Sequence, residues 1–298
     1  CSHIVDLRDA ELTAKLVADL RPNIVFHFAA QPLVRLSYTD PVLTFGSNIM
    51  GTVHLLDALR KHAMPQAILV VTSDKVYEND GNLQIYQEGD RLGGHDPYSA
   101  SKAATEIVVA SYRRAFFAEM GVPIVTARGG NVIGGGDFSA DRIIPDIVRA
   151  LMVEQSPKIR NPMATRPWQH VLDCLDGYFS FVRALVDSTN QGRDLPLALN
   201  FGPLADSAPV TVGELTNRFL GALGRPKLFQ RKTGQGPHEM PFLSIDPSLA
   251  RDSLGWHPKL NTPTAIDLTA QWYAGFLAEN KMGALTDAQI DTFGRTVQ

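Results

Sequence analysis

Cysteine is nearly absent: the 298 residues hold two, Cys1 and Cys174, too few for a disulfide framework. Long apolar runs are missing too, since none reaches the roughly 18 residues that a membrane span needs. Nothing resembles a secretory signal. Charge of neither sign dominates. With 28 Lys and Arg against 31 Asp and Glu, the formal net charge is -3 and the pI is near 6.3, which gives no support to nucleic acid as the main partner. Internal repeats and low-complexity segments are also lacking. Together these absences point away from membranes and toward a reducing compartment, the cytoplasm.

An initiator methionine is the next absence. The chain begins with Cys1, directly ahead of a strand-like His3-Ile-Val-Asp6, so it reads as starting inside a domain; tag removal or a processed N-terminus is the other reading. What is present is the composition of an ordinary globular protein, 44% hydrophobic and 20% charged, long enough for one large domain or two lobes. A polar helical stretch from Asp9 to Leu20 leads to a short apolar run, Asn23 to Phe28, that ends in Ala29-Ala30. Thr39 or Asp40 before Pro41 signals a helix that continues to about His62, and Ala67 to Val71 is a second buried strand. A polar, glycine-bearing excursion from Glu78 to Gly94 precedes a helix from Pro97 to about Met120, a strand from Ile124 to Ala127 and a Gly-rich loop from Asn131 to Asp137.

This alternation predicts an α/β fold with a parallel sheet covered on both faces. Ligands in such folds bind at the C-terminal ends of the strands. A dinucleotide fold of this kind opens with a strand, a G-x-G-x-x-G turn and a helix. No such motif precedes Asp6, and Gly134-Gly-Gly136 lies too late in the order. The expectation is therefore a Rossmann-like sheet without its first β-α-β-α unit, roughly 60 residues. Beyond about residue 150 the rhythm breaks into short strands and helices separated by Pro and Gly. We divide the chain into a catalytic dinucleotide-binding domain, 1–155, and a smaller mixed α/β substrate lobe, 156–298, with some crossover of chain between them. The polar tail after Lys281 is expected to pack weakly.

The chemistry clusters between Thr72 and Lys102. Asp96 and Pro97 read as an N-cap and first helical position, so Tyr98 and Lys102 lie four residues apart on one helix face. A free tyrosine has a pKa of roughly 10, and a neighbouring ammonium favours the phenolate, making Tyr98 a candidate acid/base. Ser73-Asp74-Lys75 follows the preceding strand. Read alone, that tripeptide is a helix cap with a solvated lysine; only the company of Tyr98 and Lys102 favours chemistry.

Phe26-His-Phe-Ala-Ala-Gln31, Thr72-Ser-Asp-Lys75, Tyr98-x-x-x-Lys102 and Gly129-Gly-Asn131 together resemble the extended short-chain dehydrogenase/reductase family in its nucleotide-sugar branch. More narrowly, Ala30-Gln-Pro-Leu-Val-Arg35, Ser73-Asp-Lys-Val-Tyr-Glu-Asn79, Leu92-Gly-Gly-His-Asp-Pro-Tyr98, Gly130-Asn-Val-Ile-Gly-Gly-Gly-Asp137 and Arg160-Asn-Pro-x-x-x-Arg-Pro-Trp-Gln-His170 are similar to the CDP-glucose 4,6-dehydratases. The likeness runs to about Trp272. It implies NAD, consumed and regenerated within one turnover, with CDP-glucose as substrate and CDP-4-keto-6-deoxyglucose as product.

By that resemblance Tyr98 removes the proton of the sugar 4-hydroxyl, Lys102 keeps the tyrosine ionised and Ser73 bonds the same oxygen. Asp74 then protonates the departing 6-hydroxyl while Lys75 takes the C5 proton. Related dehydratases carry Asp-Glu where this chain has Asp74-Lys75. A lysine near its reference pKa of about 10.4 is protonated at pH 7, so a basic Lys75 requires that value to be lowered. If it stays protonated, it stabilises the enolate and another group or water is the base. Epimerases, the alternative within the branch, have no use for an acid at a leaving 6-hydroxyl. Outside catalysis, an inactive subunit or truncated product is the competing reading.

The resemblance also assigns cofactor contacts to Asp6, Leu7, Phe28, Ala29, Ala30, Tyr98 and Lys102, the last at the cofactor ribose, and substrate contacts to Gln31, Asn131, Arg142, Arg160, Arg166, Trp168, His170 and His238. Arginine forks suit a diphosphate, and an amide in a Gly-rich loop offers both donors and acceptors. Asn48 reads as a structural mid-helix amide and Cys174 as a core thiol. No metal site is expected. The helices near Pro41 to His62 and Pro97 to Met120 carry more than one apolar stripe, which suggests a four-helix interface and a homodimer.

Overall fold

Asp9 starts the first helix by accepting the Leu12 backbone N–H at 2.9 Å, and α1 (Ala10–Leu20) follows. The computed structural model describes residues 1–81, 83–191, 194–203, 210–226, 228–231 and 242–296. After β1 (Ile24–His27) come a short α2 (Val34–Thr39) and α3 (Pro41–Phe45), the latter capped by Asp40, which accepts from Leu43. A π turn at Gly46–Met50 joins α3 to α4 (Gly51–His62). Next are β2 (Ala67–Val71) and, within the polar excursion, β3 (Ile85–Tyr86). Asp96 accepts the Ser99 N–H at 2.9 Å and opens α5 (Pro97–Tyr112), with Pro97 supplying a helix-ready φ. Gly94 has no room for a side chain here: a Cβ on it would lie 2.4 Å from the Ala100 nitrogen.

The rest of the chain forms β4 (Ile124–Gly129), β5 (Asn131–Ile133), α6 (Ile143–Met152), β6 (Lys158–Ile159), β7 (Trp168–His170), α7 (Val171–Gln191) and β8 (Ala198–Phe201). It ends with α8 (Val212–Ala222), β9 (Gln230–Arg231), β10 (Ser244–Ile245), α9 (Ser248–Leu254), α10 (Thr262–Leu277) and α11 (Met282–Arg295). Four strands make one parallel sheet in the order β1-β2-β4-β8. Phe26 lies opposite Leu69, Leu69 opposite Val125, and Ala127 opposite Leu199. Alternation along β2 serves both faces. Ile68 and Val70 pack with Val17, Leu59, Val109 and Phe117 beneath α1, α4 and α5, while Leu69 packs with Phe181, Phe201 and Trp256 under α7 and α9. This is the doubly covered parallel sheet expected.

Three local expectations change. His3–Asp6 forms no strand; among the described residues nothing pairs with it, and Ile4 is fully exposed. Asn131–Ile133 is a strand and not loop, because β7 pairs with it in parallel. The tail after Lys281 is the ordered helix α11. It is held by apolar and polar contacts together: Met282 packs against the second core and Phe293 is buried, while the Trp272 indole donates to the Thr286 hydroxyl at 2.9 Å and the Gln289 amide to the Leu268 carbonyl at 2.9 Å.

A second core gathers Ile147, Trp168, Phe219 and Tyr273 from α6, β7, α8 and α10. Chain crossover between the two cores is large, since β8, α7 and α9, all beyond residue 155, complete the sheet-centred core.

One ion pair lies inside the sheet-centred unit. Arg128 on β4 donates through Nε and Nη2 to the two oxygens of Glu106 on α5, each at 3.0 Å, and both side chains are 5% exposed. Thr72 and Thr126 hydroxyls donate to the same carboxylate at 2.6 and 2.7 Å. Removing one partner strands a buried charge. Arg128→Met is therefore expected to destabilise the fold by about 3–5 kcal/mol, read from the urea midpoint. The double change Glu106→Gln with Arg128→Met should recover part of that loss; a single-variant cost below about 1 kcal/mol would refute the pair's structural weight.

Candidate active site

The site begins where β2 runs out. Thr72 extends the ladder by donating its N–H to the Ala127 carbonyl at 2.8 Å, and its hydroxyl is tied to Glu106, so the next residues leave a fixed point. Ser73 caps a single 3-10 turn, Asp74–Val76, by accepting the Lys75 N–H at 3.2 Å. Its hydroxyl donates to Asp74 Oδ1 at 2.9 Å. Asp74 is 2% exposed, and its Oδ2 is buried without a hydrogen-bond partner. Leaving such an oxygen unsatisfied costs about 1–3 kcal/mol or more, which a ligand donor relieves. Lys75 is half-buried.

The first turn of α5 brings Tyr98 to the same wall, with its phenol beside Ser73. Ser73, Asp74, Lys75 and Tyr98 all line one cavity of about 570 Å³. Burial pushes the Tyr98 phenol up to about 12; the Asp74 carboxylate adds to this, while Ser73 and Arg142 oppose it. Lys102 does not reach that wall. It is 6% exposed, its ammonium donates to the Val71 carbonyl at 3.1 Å, and burial draws its pKa down to about 8 against the pull of Glu106. The expected lowering of the Tyr98 pKa by Lys102 is thus absent from the protein alone. Desolvation of the phenol outweighs the neighbouring charges, and the ammonium has a backbone acceptor of its own.

Asn131, Arg142, Arg160, Arg166 and Trp168 also line the cavity, across from the strand ends. The Trp168 indole is anchored by donating to the Val210 carbonyl at 3.0 Å. Gln31 and His170 are not brought to it. The Gln31 amide donates to Thr44 at 2.8 Å and to the Leu33 carbonyl at 3.1 Å while its oxygen accepts the Leu33 N–H, so the side chain braces its own loop. Asn48 completes that brace by accepting the Gln31 N–H at 2.7 Å and donating to Ser101 at 2.8 Å. His170 is 2% exposed, accepts the Leu172 N–H, and is held near a pKa of about 4 by burial, hence neutral.

Of the expected cofactor contacts Tyr98 lines the cavity, while Asp6, Leu7, Phe28, Ala29, Ala30 and Lys102 lie outside it. Phe28 and Ala29 are exposed and Ala30 half-buried at the end of β1. The Phe28 ring sits 6.0 Å from that of Tyr178, which is a cavity wall, so this apolar ledge adjoins the cavity. Asp6 pairs with Arg8 at 2.5 Å, and that partner holds its carboxyl down at about 2. The Leu7 carbonyl accepts from His54 Nδ1 at 2.9 Å. His238 lies outside the described residues. Among the described residues no cluster of His, Cys, Asp and Glu is arranged to hold a metal ion, and no helix is long and apolar enough to cross a membrane. Among the cavity residues that a reading of the sequence does not single out are Tyr178, which sits on an apolar stripe of α7 like any core residue, Arg35 on α2, and Asp141.

A family model described as GDP-mannose 4,6 dehydratase matches residues 2–269. The chain belongs to that family. It is 38% identical to the CDP-glucose 4,6-dehydratase of Salmonella typhimurium over 297 residues, covering 98% of this chain and 82% of the relative. Identity to the dTDP-glucose 4,6-dehydratase of Xanthomonas campestris pv. campestris is 28% over 284 residues, 90% of this chain and 77% of the relative. Among solved structures, the dTDP-glucose 4,6-dehydratase of Streptomyces venezuelae with NAD and TYD bound superposes with a TM-score of 0.75 at 23% identity, covering 93% of this chain and 80% of that one. The UDP-glucose 4-epimerase of Thermotoga maritima superposes with a TM-score of 0.77 at 19% identity, covering 92% and 84%. At these identities the two structures speak for the shared Rossmann-like fold.

Proposed function

We propose that this chain is an NAD-dependent lyase that converts CDP-glucose to CDP-4-keto-6-deoxyglucose and water. The observation that carries the reading is Asp74. Its carboxyl is buried on the wall shared with Lys75 and Tyr98, with one oxygen held by Ser73 and the other buried without a hydrogen-bond partner. An epimerase has no need of an acid at that place. The 38% identity to a CDP-glucose 4,6-dehydratase over nearly the whole chain supports the choice of nucleotide.

In this reading Tyr98 takes the proton of the sugar 4-hydroxyl, with Ser73 bonded to the same oxygen. Lys102, fixed on the Val71 carbonyl, ties α5 to the end of β2 and so keeps Tyr98 against Ser73. The 4-ketone acidifies the C5 proton, which Lys75 removes, while Asp74 hands its proton to the 6-hydroxyl as it leaves as water. What NAD supplies when bound is a hydride acceptor for C4 at the start and a hydride donor to C6 at the end. The chain's own surface fits that group: the exposed Phe28 and Ala29 ledge adjoins the cavity, where an apolar ring can stack, and Ala29 and Ala30 allow close approach. Asn131, Arg142, Arg160, Arg166 and Trp168 hold the nucleotide, and the core around α6, α8 and α10 is the substrate lobe.

The same reading places the enzyme in the cytoplasm, where the buried free thiol of Cys174 stays reduced. It also makes the enzyme a homodimer. Val42 on α3 is 81% exposed and Ile107 on α5 is 63% exposed, on two helices that pack together; a monomer by light scattering would remove that part. The decisive assay incubates the chain with NAD and CDP-glucose, UDP-glucose or dTDP-glucose and follows the alkali-induced absorbance of the 4-keto sugar. Signal with CDP-glucose is expected. Signal with another nucleotide alone overturns the substrate, and none with any of the three overturns the reaction.

A further inference from the structure

The cavity's arginines already face carboxylates. Arg35 on α2 and Arg160 just after β6 both turn to Asp141 Oδ1, at 3.8 and 3.1 Å. Asp141 lies on the loop between β5 and α6, and all three side chains line the cavity, 27%, 29% and 42% exposed respectively. The same loop sets Asp137 Oδ2 3.8 Å from Arg142 Nε. The Nε groups of Arg35 and Arg142 are nonetheless buried with no hydrogen-bond acceptor. One carboxylate oxygen is shared between two guanidinium groups.

We propose that Asp141 is an internal counter-anion that holds Arg35 and Arg160 together across the cavity until a nucleoside diphosphate displaces it. This rests on the nucleotide-sugar reading of the cavity. The exchange is favoured by geometry: a diphosphate offers enough oxygens to meet both forks bidentately, whereas Asp141 offers one shared oxygen at hydrogen-bond range of Arg160 and beyond it from Arg35. It is opposed by charge, because the carboxylate remains beside the incoming phosphates. Asp141 therefore limits affinity. It keeps the arginines from other anions and assists product release, while Arg35, on the first turn of α2, joins the binding set.

The backbone permits a clean test. Asp141 has φ +60°, and asparagine is the side chain that best tolerates this left-handed conformation after glycine. Asp141→Asn keeps an acceptor for Arg160 and removes only the charge. CDP is titrated calorimetrically into the full chain at low salt. Asp141→Asn should bind it about 5-fold more tightly than the unsubstituted chain, with the gap narrowing in molar salt. Arg35→Gln should bind it several-fold more weakly. Asp19→Asn, an exposed charge on α1 paired with Lys15, controls for net charge and should change nothing. Asp141→Gly, which suits the same φ, repeats the measurement should the asparagine variant fold poorly. Equal or weaker CDP binding by both Asp141 variants overturns the proposal, as does an unsubstituted chain that does not bind CDP. Failure of the dehydratase assay with tighter CDP binding by Asp141→Asn would instead remove the reaction and leave the exchange.

Discussion

Lys75→Met, mixed with CDP-glucose and NAD, should show the absorbance of reduced nicotinamide but release 4-keto-6-deoxy sugar about 10²–10⁴-fold more slowly than the unsubstituted chain. Methionine keeps an unbranched apolar stem of similar volume, so the 3-10 turn capped by Ser73 is left in place. Only the amine goes. In the proposed mechanism oxidation at C4 depends on Tyr98 and Ser73, which the substitution does not touch, whereas loss of the C5 proton depends on a base at position 75. Unchanged product release would sink Lys75 as that base. Loss of both signals would mean that Lys75 is needed before elimination, for binding or for the first hydride transfer.

Tyr98→Phe gives the complementary result. Both the reduced-nicotinamide signal and the product should fall, by about 10²–10⁴-fold, because proton removal from the 4-hydroxyl is the first chemical step. Stability should hardly move, since the lost hydroxyl lies beside Ser73 at a ligand cavity and its removal leaves no buried backbone group unpaired. A thermal midpoint close to that of the parent chain, beside a collapsed rate, separates chemistry from folding. Retained oxidation would place the base elsewhere. The phenol is pushed up to about 12 in the protein alone, so a preformed phenolate is scarce at neutral pH. Proton transfer must accompany reaction at C4 or follow a change in the charge of the filled site.

The catalytic stretch was legible because its signals are local. Asp96 and Pro97 cap and open α5 as read, and that places Tyr98 on the first turn. The apolar run Ala67–Val71 becomes β2 to the residue, so Ser73, Asp74 and Lys75 had to follow a strand end. Caps act over three residues and apolar runs over five, and the chain itself carries both. Gln31 shows the limit. It stands in a strand-end motif, yet Thr44, Leu33 and Asn48 satisfy the amide side chain and the backbone around it. None of those pairings is written in its immediate neighbours.

What this sequence determined alone was the strands at Ala67–Val71 and Ile124–Gly129, the capped start of α5, and the identity of the groups that follow those strands. Those depend on backbone dihedrals, caps and side-chain period, which neighbouring residues set. Tertiary structure alone decided that β8 closes the parallel sheet, that α11 packs on α10, that Lys102 turns to the Val71 carbonyl, and that Asp141 draws Arg35 and Arg160 together. Each of these depends on burial and on partners distant in the chain. Desolvation and charge pairing act through space, so the same tyrosine, lysine or aspartate acquires its chemistry only from what the fold sets beside it.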